Sequence, residues 1–235
     1  MFRFKQFCVD DELSAMKIGT DSVLLGAWTN ISSAKRILDV GTGCGILALM
    51  AAQRTNDAKI TAIDIDKEAA KQAEINFRNS KWASSFKVFN LSLQDFAESH
   101  EPTFDYVLCN PPFFQNSLLP PSSQKAVAKH NITLSYSDLF FNCRKIMLPK
   151  STLALIAPFD LREKIVGIGI ENNFYCSREA IVKSSAKHQP HRIMMEFVNF
   201  EVAEVETETI EIYNSNDNSY TDRYKEICKD FYLKF

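Results

Sequence analysis

The sequence predicts an α/β fold in which a mostly parallel sheet carries helices on both faces. Three observations predict it. A buried-strand pattern, Arg36 to Val40, runs through the glycine-rich turn Gly41-Thr42-Gly43-Cys44-Gly45 into the helical run Ile46 to Ala52. Strand-like and helix-like segments then alternate along the chain, as they do where helices cross over between parallel strands. Finally, the acid-, glycine- or proline-bearing tips all fall at the carboxyl ends of strands, the side on which open α/β sheets bind ligands.

Taken in order, residues 1–30 open with alternating Phe2, Phe4 and Phe7, a short hairpin, and continue to Lys17-Ile18-Gly19-Thr20-Asp21-Ser22. Thr20 or Asp21 is placed to cap a helix that starts with Val23-Leu24-Leu25, leaving the free amides of its first turn facing whatever sits in front. The GxGxG turn differs from the GxGxxG of dinucleotide binders. Asp39, just before it, would repel a phosphate and favour an amino group. Lys59 to Asp64 is a second strand ending in an acid about twenty residues past the glycines, where a carboxylate can hold a ribose diol. A helix follows from Lys67 to Asn79 with Ala70, Ala73 and Phe77 on one face, then a strand, Phe86 to Asn90. After it, Leu93 can flank an adenine ring and Asp95 can bond its amino group, or Ser92 and Asp95 can cap the next turn.

Phe104 to Cys109 is the fourth strand, and Asn110-Pro111-Pro112-Phe113 ends it. Two prolines cannot continue a ladder, and Pro111 holds Asn110 extended, so the side-chain amide and the next carbonyl point outward from the strand tip. This rigid corner offers two oxygen acceptors beside the aromatic face of Phe113, a shape suited to a planar group bearing NH2. Residues 115–137 contain no acid but carry Lys125, Lys129 and His130, as a solvated loop or as a flap that touches phosphate. A helix from Tyr136, a strand Thr152 to Ala157, a helix near Leu161–Ile170 and an antiparallel pair, Phe174 to Val182 with Arg192 to Phe200, follow. The loop joining that pair holds Lys183, Lys187 and Arg192 and no acid, a local positive patch suited to phosphate contacts. Glu196, Glu201, Glu204, Glu206, Glu208 and Glu211 make the adjoining strands acidic, a face nucleic acid would avoid. The tail from Tyr220 to Phe235 has helical spacing of aromatics and docks on the rest.

Composition narrows the function. The chain has 235 residues and no linker-like stretch, which predicts one domain over 1–235: an N-terminal lid, 1–30, and a core, 31–235. A formal charge of −2 leaves any nucleic-acid site to local patches. The six cysteines are scattered without CxxC or zinc-like spacing, so no metal is implied and buried thiols in a reducing compartment are expected. The start is too short and charged for a signal peptide, and the longest apolar run, Ile46 to Ala52, cannot span a bilayer. A cytoplasmic protein is expected.

Asp39-Val40-Gly41-Thr42-Gly43-Cys44-Gly45, Asp64 and Asn110-Pro111-Pro112-Phe113 together resemble the class I S-adenosylmethionine-dependent methyltransferases that act on amino groups. More narrowly, Phe4-Lys5-Gln6-Phe7, Ala15-Met16-Lys17-Ile18-Gly19-Thr20-Asp21 and the closing Tyr220-Thr221 and Lys229-Asp230-Phe231-Tyr232-Leu233 look like the bacterial tRNA1(Val) (adenine-37-N6)-methyltransferase family, end to end. The resemblance implies a Rossmann-like, mostly parallel seven-stranded sheet and S-adenosylmethionine as cofactor. It implies a cofactor site of Lys17, Thr20, Asp39, Gly41, Gly43, Gly45, Asp64, Leu93 and Asn110. The catalytic corner would be Asn110, Pro111, Pro112 and Phe113, with Phe113 where the family more often has Tyr. The substrate would be the anticodon loop of a tRNA, gripped by Lys125, Lys129, His130, Lys183, Lys187 and Arg192, with no membrane and no obligatory protein partner. Three alternatives stand beside it: methylation of a protein glutamine, methylation of another RNA or DNA adenine, and a non-catalytic RNA-binding module.

Overall fold

The computed structural model describes residues 1–14, 16–111 and 134–235. Phe2–Arg3 (β1) and Cys8–Val9 (β2) pair antiparallel, Phe2 opposite Val9, as the alternating aromatics predict. Thr20–Trp28 (α1) follows. Arg36–Val40 (β3), Ile46–Arg54 (α2), Lys59–Ile63 (β4), Lys67–Arg78 (α3) and Phe86–Phe89 (β5) then alternate. Leu93–Ser99 (α4) leads to Phe104–Cys109 (β6). Beyond residue 133 come Tyr136–Ile146 (α5), Met147–Pro158 (β7), Arg162–Glu171 (α6), Tyr175–Lys183 (β8), Arg192–Val198 (β9), Glu206–Glu211 (β10) and Asp222–Cys228 (α7).

Strands β3 to β10 form one sheet in the order β10-β8-β9-β7-β6-β3-β4-β5. All neighbours are parallel except β9, which runs against both β7 and β8. Among the described residues the sheet has eight strands where seven were expected, because Glu206–Glu211 adds to β8 as an extra edge. Its alternating charged residues, only one of the six buried, suit an edge strand.

Helices cover both faces. On β3, Ile37 packs into one core with α1, α2, α3 and α7, while Leu38 and Val40 pack into a second core with α4, α5 and α6. Burial on both sides is why this strand reads as a nearly unbroken apolar run. Buried Tyr224 and Phe231 anchor the tail, Lys5 N–H donates to the Phe231 carbonyl at 2.9 Å, and Phe4 stacks on Tyr232. Five cysteines are buried; Cys8 is exposed, contrary to the expectation of buried thiols, because β2 turns it outward. No described helix is long and apolar enough to cross a membrane.

Of the acids expected to make the last strands negative, Glu201, Glu204 and Glu206 are exposed, whereas Glu196 and Glu208 are turned towards partners. Glu196 is buried, accepting from Asn30 N–H and the Tyr106 hydroxyl, with Arg178 3.6 Å away. Glu208 accepts from Trp28 Nε1 at 2.8 Å and pairs with Arg178 and Arg223. Period-2 alternation sends part of the series inward to cations that the local sequence does not reveal.

Candidate functional site

Register assembles the site. Val40 lies opposite Ile63 on one side and Cys109 on the other. Gly41, Asp64 and Asn110 are therefore the next residues out of three neighbouring strands, at one level. β3 and β6 are also where the strand order reverses, the crevice position of open α/β sheets.

The glycine turn is tied down before any ligand arrives. Gly41 and Thr42 N–H donate to the Ile63 carbonyl at 2.9 and 3.0 Å, Gly43 N–H to Asp64 Oδ2 at 2.8 Å, and Gly45 N–H to the Thr42 carbonyl at 2.8 Å. With those amides engaged, the turn offers a phosphate few donors, in line with its departure from the dinucleotide pattern. It offers close approach instead. At Gly41, φ is +67° and a Cβ would meet nothing within 4 Å. Gly45 differs: φ is +85°, and a Cβ would lie 2.5 Å from the Phe77 ring. Gly45 does not border the cavity described below; its missing side chain makes room for α3.

Asp39 is 1% exposed and sits beneath the turn rather than in the cavity wall. Its Oδ2 accepts from the Thr42 hydroxyl at 2.6 Å, and its Oδ1 is buried without a partner among the described residues. Burial pushes this carboxyl up to about 7, against the opposing pull of the Thr42 bond. Asp64 is half-buried and also raised by burial, although Gly43 and Asp66 N–H each donate to it at 2.8 Å. Each carboxylate oxygen has a second lone pair, so both contacts leave room for hydroxyl donors.

Asn110 donates from Nδ2 to Ser22 Oγ at 2.8 Å, while its Oδ1 is buried without a partner among the described residues. Ser22, in the first turn of α1, thus fixes which way the amide points and leaves the oxygen as acceptor. No role fell to Ser22 in the sequence, since nothing in its spacing points at a strand tip almost ninety residues away.

A cavity of about 1170 Å³ joins these parts. Lys17, Thr20, Gly41, Gly43, Asp64, Leu93, Asn110 and Pro111 border it, together with Ser22, Ser92, Asp95, His191, Arg192 and Tyr213. Lys17 Nζ spends its hydrogen bonds on the carbonyls of Asp11 and Ser14, at 2.6 and 3.3 Å, bracing the segment before α1. Gly19, not Thr20 or Asp21, is the cap residue of α1, without a side-chain bond; Thr20 is already helical, and Asp21 pairs instead with Arg192 Nε at 2.7 Å. Ser92 and Asp95 do cap α4: Ser92 Oγ accepts from Asp95 N–H at 3.1 Å and donates to Asp95 Oδ2 at 2.6 Å.

Of the expected RNA contacts, Arg192 reaches the cavity wall, Lys183 is half-buried, and exposed Lys187 bonds the Ser215 carbonyl at 3.3 Å. Pro112, Phe113, Lys125, Lys129 and His130 lie outside the described residues.

The family model for the methyltransferase small domain matches residues 13–135. A tRNA1(Val) (adenine(37)-N6)-methyltransferase of Parabacteroides distasonis is 40% identical over 235 residues, covering 99% of this chain and 98% of that one. The protein of the same name from Trichodesmium erythraeum is 38% identical over 241 residues, covering 100% and 98%. Among solved structures, a predicted O-methyltransferase of Agrobacterium tumefaciens superposes with a TM-score of 0.72 at 16% identity, over 90% of this chain and 96% of that one. A SAM-dependent O-methyltransferase of Thermotoga maritima gives 0.56 at 15% identity, over 80% and 68%. At such identities these two share the fold.

Proposed function

This chain belongs to the methyltransferase small domain family and, end to end, to the tRNA1(Val) (adenine(37)-N6)-methyltransferases, and from that membership we propose its reaction: transfer of a methyl group from S-adenosylmethionine to the exocyclic N6 of adenosine 37 in tRNA1(Val). The observation that carries the chemistry is Asn110, its NH2 end held by Ser22 and its oxygen left without a partner among the described residues, at the level of Gly41 and Asp64.

The residues present fit this cofactor. Gly41 is open on its ligand side, and Asp39 keeps one buried oxygen without a hydrogen-bond partner among the described residues, an acceptor for an ammonium or for a water that bridges to one. Asp64 is the group to take the ribose hydroxyls, and Leu93 to flank the adenine. When bound, S-adenosylmethionine supplies an electrophilic methyl on a sulfonium sulfur.

The chain's part is to position and polarise the acceptor. The target base must leave its stack, which costs a few kcal/mol and less in a loop than in a duplex. Phe113 recovers part of that by stacking, about 1–3 kcal/mol. Asn110 Oδ1 and the Pro111 carbonyl accept the two N–H bonds of the amine. Two acceptors on those hydrogens favour a pyramidal nitrogen, whose lone pair then points at the methyl instead of entering the ring. They also stabilise the positive charge that grows on nitrogen as the C–N bond forms and the S–C bond breaks. The proton would pass to solvent water after the bond is made, when it is acidic, so no strong base is required.

The test is incubation with labelled cofactor and total RNA from a strain lacking the gene. Label should enter tRNA; label in protein alone would overturn the reading. Asn110→Ala should still bind S-adenosylmethionine by isothermal titration while kcat falls about 10²–10³-fold.

A further inference from the structure

The cavity has a second arm. Past Asn110 it continues to Val182, His191, Arg192, Ile212 and Tyr213, at the tips of β8, β9 and β10. β6 and β10 are four strands apart in the sheet, roughly 19 Å at ordinary strand spacing. This arm has a consistent make-up. Its floor is apolar, Val182 and Ile212, and its wall includes His191, whose Nδ1 is buried without a partner among the described residues.

At its far rim Tyr213 ends a stack of three rings. Tyr220 lies between Tyr224 and Tyr213, with centroids 5.1 Å apart in both pairs and interplanar angles of 16° and 27°. Tyr224 is buried, whereas Tyr213 ends the stack 37% exposed and borders the cavity. Lys187, from the acid-free loop after β8, reaches the same turn through its bond to the Ser215 carbonyl. An exposed ring bordering the cavity, with an ammonium held on the same turn two residues on, matches one unit of single-stranded nucleic acid: a base to extend the stack and a phosphate near it.

We propose that Tyr213 is a stacking platform for a second nucleotide of the RNA substrate, a few residues along the chain from the target adenosine, with Lys187 at its phosphate. The assignment rests on the RNA-methylating reading above and adds a second point of grip, four strands from the first. Tyr224 and Tyr220 fix the tilt of Tyr213 in advance, so a base docks on a preordered face.

The test is methyl transfer to an RNA hairpin carrying the anticodon stem and loop, by the wild type, Tyr213→Leu and Tyr213→Phe. Leucine keeps apolar bulk and loses the ring, so KM for the hairpin should rise about tenfold, with KM for S-adenosylmethionine unmoved. Phenylalanine should restore KM to within about twofold of the wild type. Placing an abasic residue at each loop position in turn should reveal one position at which the wild type and Tyr213→Leu become equal. If Tyr213→Leu matches the wild type on the intact hairpin, or no abasic position removes the difference, the platform is wrong while the methylation reading stands. If the wild type methylates neither hairpin nor tRNA, both readings fall together.

Discussion

A side-chain amide has two ends, and at Asn110 the neighbouring residues choose between them. Ser22 takes the NH2 end, so the oxygen is presented without any need for the amide to reorient when a substrate arrives. Removing that hydroxyl frees the amide to turn. Ser22→Ala should lower kcat about fivefold, the worth of roughly one hydrogen bond, with a smaller change in cofactor affinity, and Ser22→Thr should recover most of the loss. Steady-state kinetics with separate cofactor titrations check this. Asp39 shows a second residue-scale effect. Burial moves its carboxyl from 3.8 to about 7, so between those values the folded chain holds a proton that the unfolded chain has released. Its contribution to stability is therefore full at the acidic end and is lost as pH rises through about 7. Asp39→Asn should flatten that decline, visible as a smaller difference in unfolding free energy between pH 5 and pH 8 in the absence of cofactor. An ammonium brought near the carboxylate favours its charged form, so the wild type's affinity for S-adenosylmethionine should climb over the same interval.

Within single elements, the turn from β3 to α2 divides its labour between glycines that look alike in the sequence. Gly41 faces the cavity with nothing at its Cβ position, whereas Gly45 lies under Phe77. Gly45→Ala should cost about 2–4 kcal/mol, from left-handed backbone strain together with the clash against the ring, and its Tm should fall. Gly41→Ala carries the strain but no clash; its main effect should be on S-adenosylmethionine affinity, measured by titration calorimetry. A finding that both variants lose stability equally would remove the distinction. The sequence marked all three glycines as one motif because spacing is all it records. Which of them touches a ligand depends on where α3 packs, and Phe77 is more than thirty positions away. The same limit applies at α1, where Thr20 and Asp21 were suitable caps by residue type, but Arg192 holds Asp21 and the helix begins at Thr20, with extended Gly19 as its cap. At α4 the local rule was enough: Ser92 and Asp95 form the cap their spacing offers, because both partners lie within one turn.

Across the whole molecule, the far strands are locked to α1 by charge as well as by packing. Arg178 donates to the Trp28 carbonyl at 3.0 Å, lies 4.1 Å from the Trp28 ring centroid and pairs with buried Glu196 and half-buried Glu208. Arg178→Met would leave Glu196 buried without its guanidinium and should cost about 3–5 kcal/mol in denaturant unfolding. Adding Glu196→Gln to that variant should return part of the loss, since the uncompensated charge is then gone. This cross-brace ties Glu196 and Glu208 to cations while Glu201, Glu204 and Glu206 stay exposed, a division that residue counts along the chain could not settle.

By itself, the sequence determined the alternation of strands and helices, the glycine turn, the acid that ends the next strand and the Asn-Pro corner, since each is written in residues within about a turn or a strand of one another. Tertiary structure alone decided that Val40, Ile63 and Cys109 share one level, that Ser22 orients Asn110, and that an eighth strand extends the cavity to Tyr213. Periodicity is written in neighbouring residues, but register and the partners of buried polar groups are set by contacts between segments far apart in the chain.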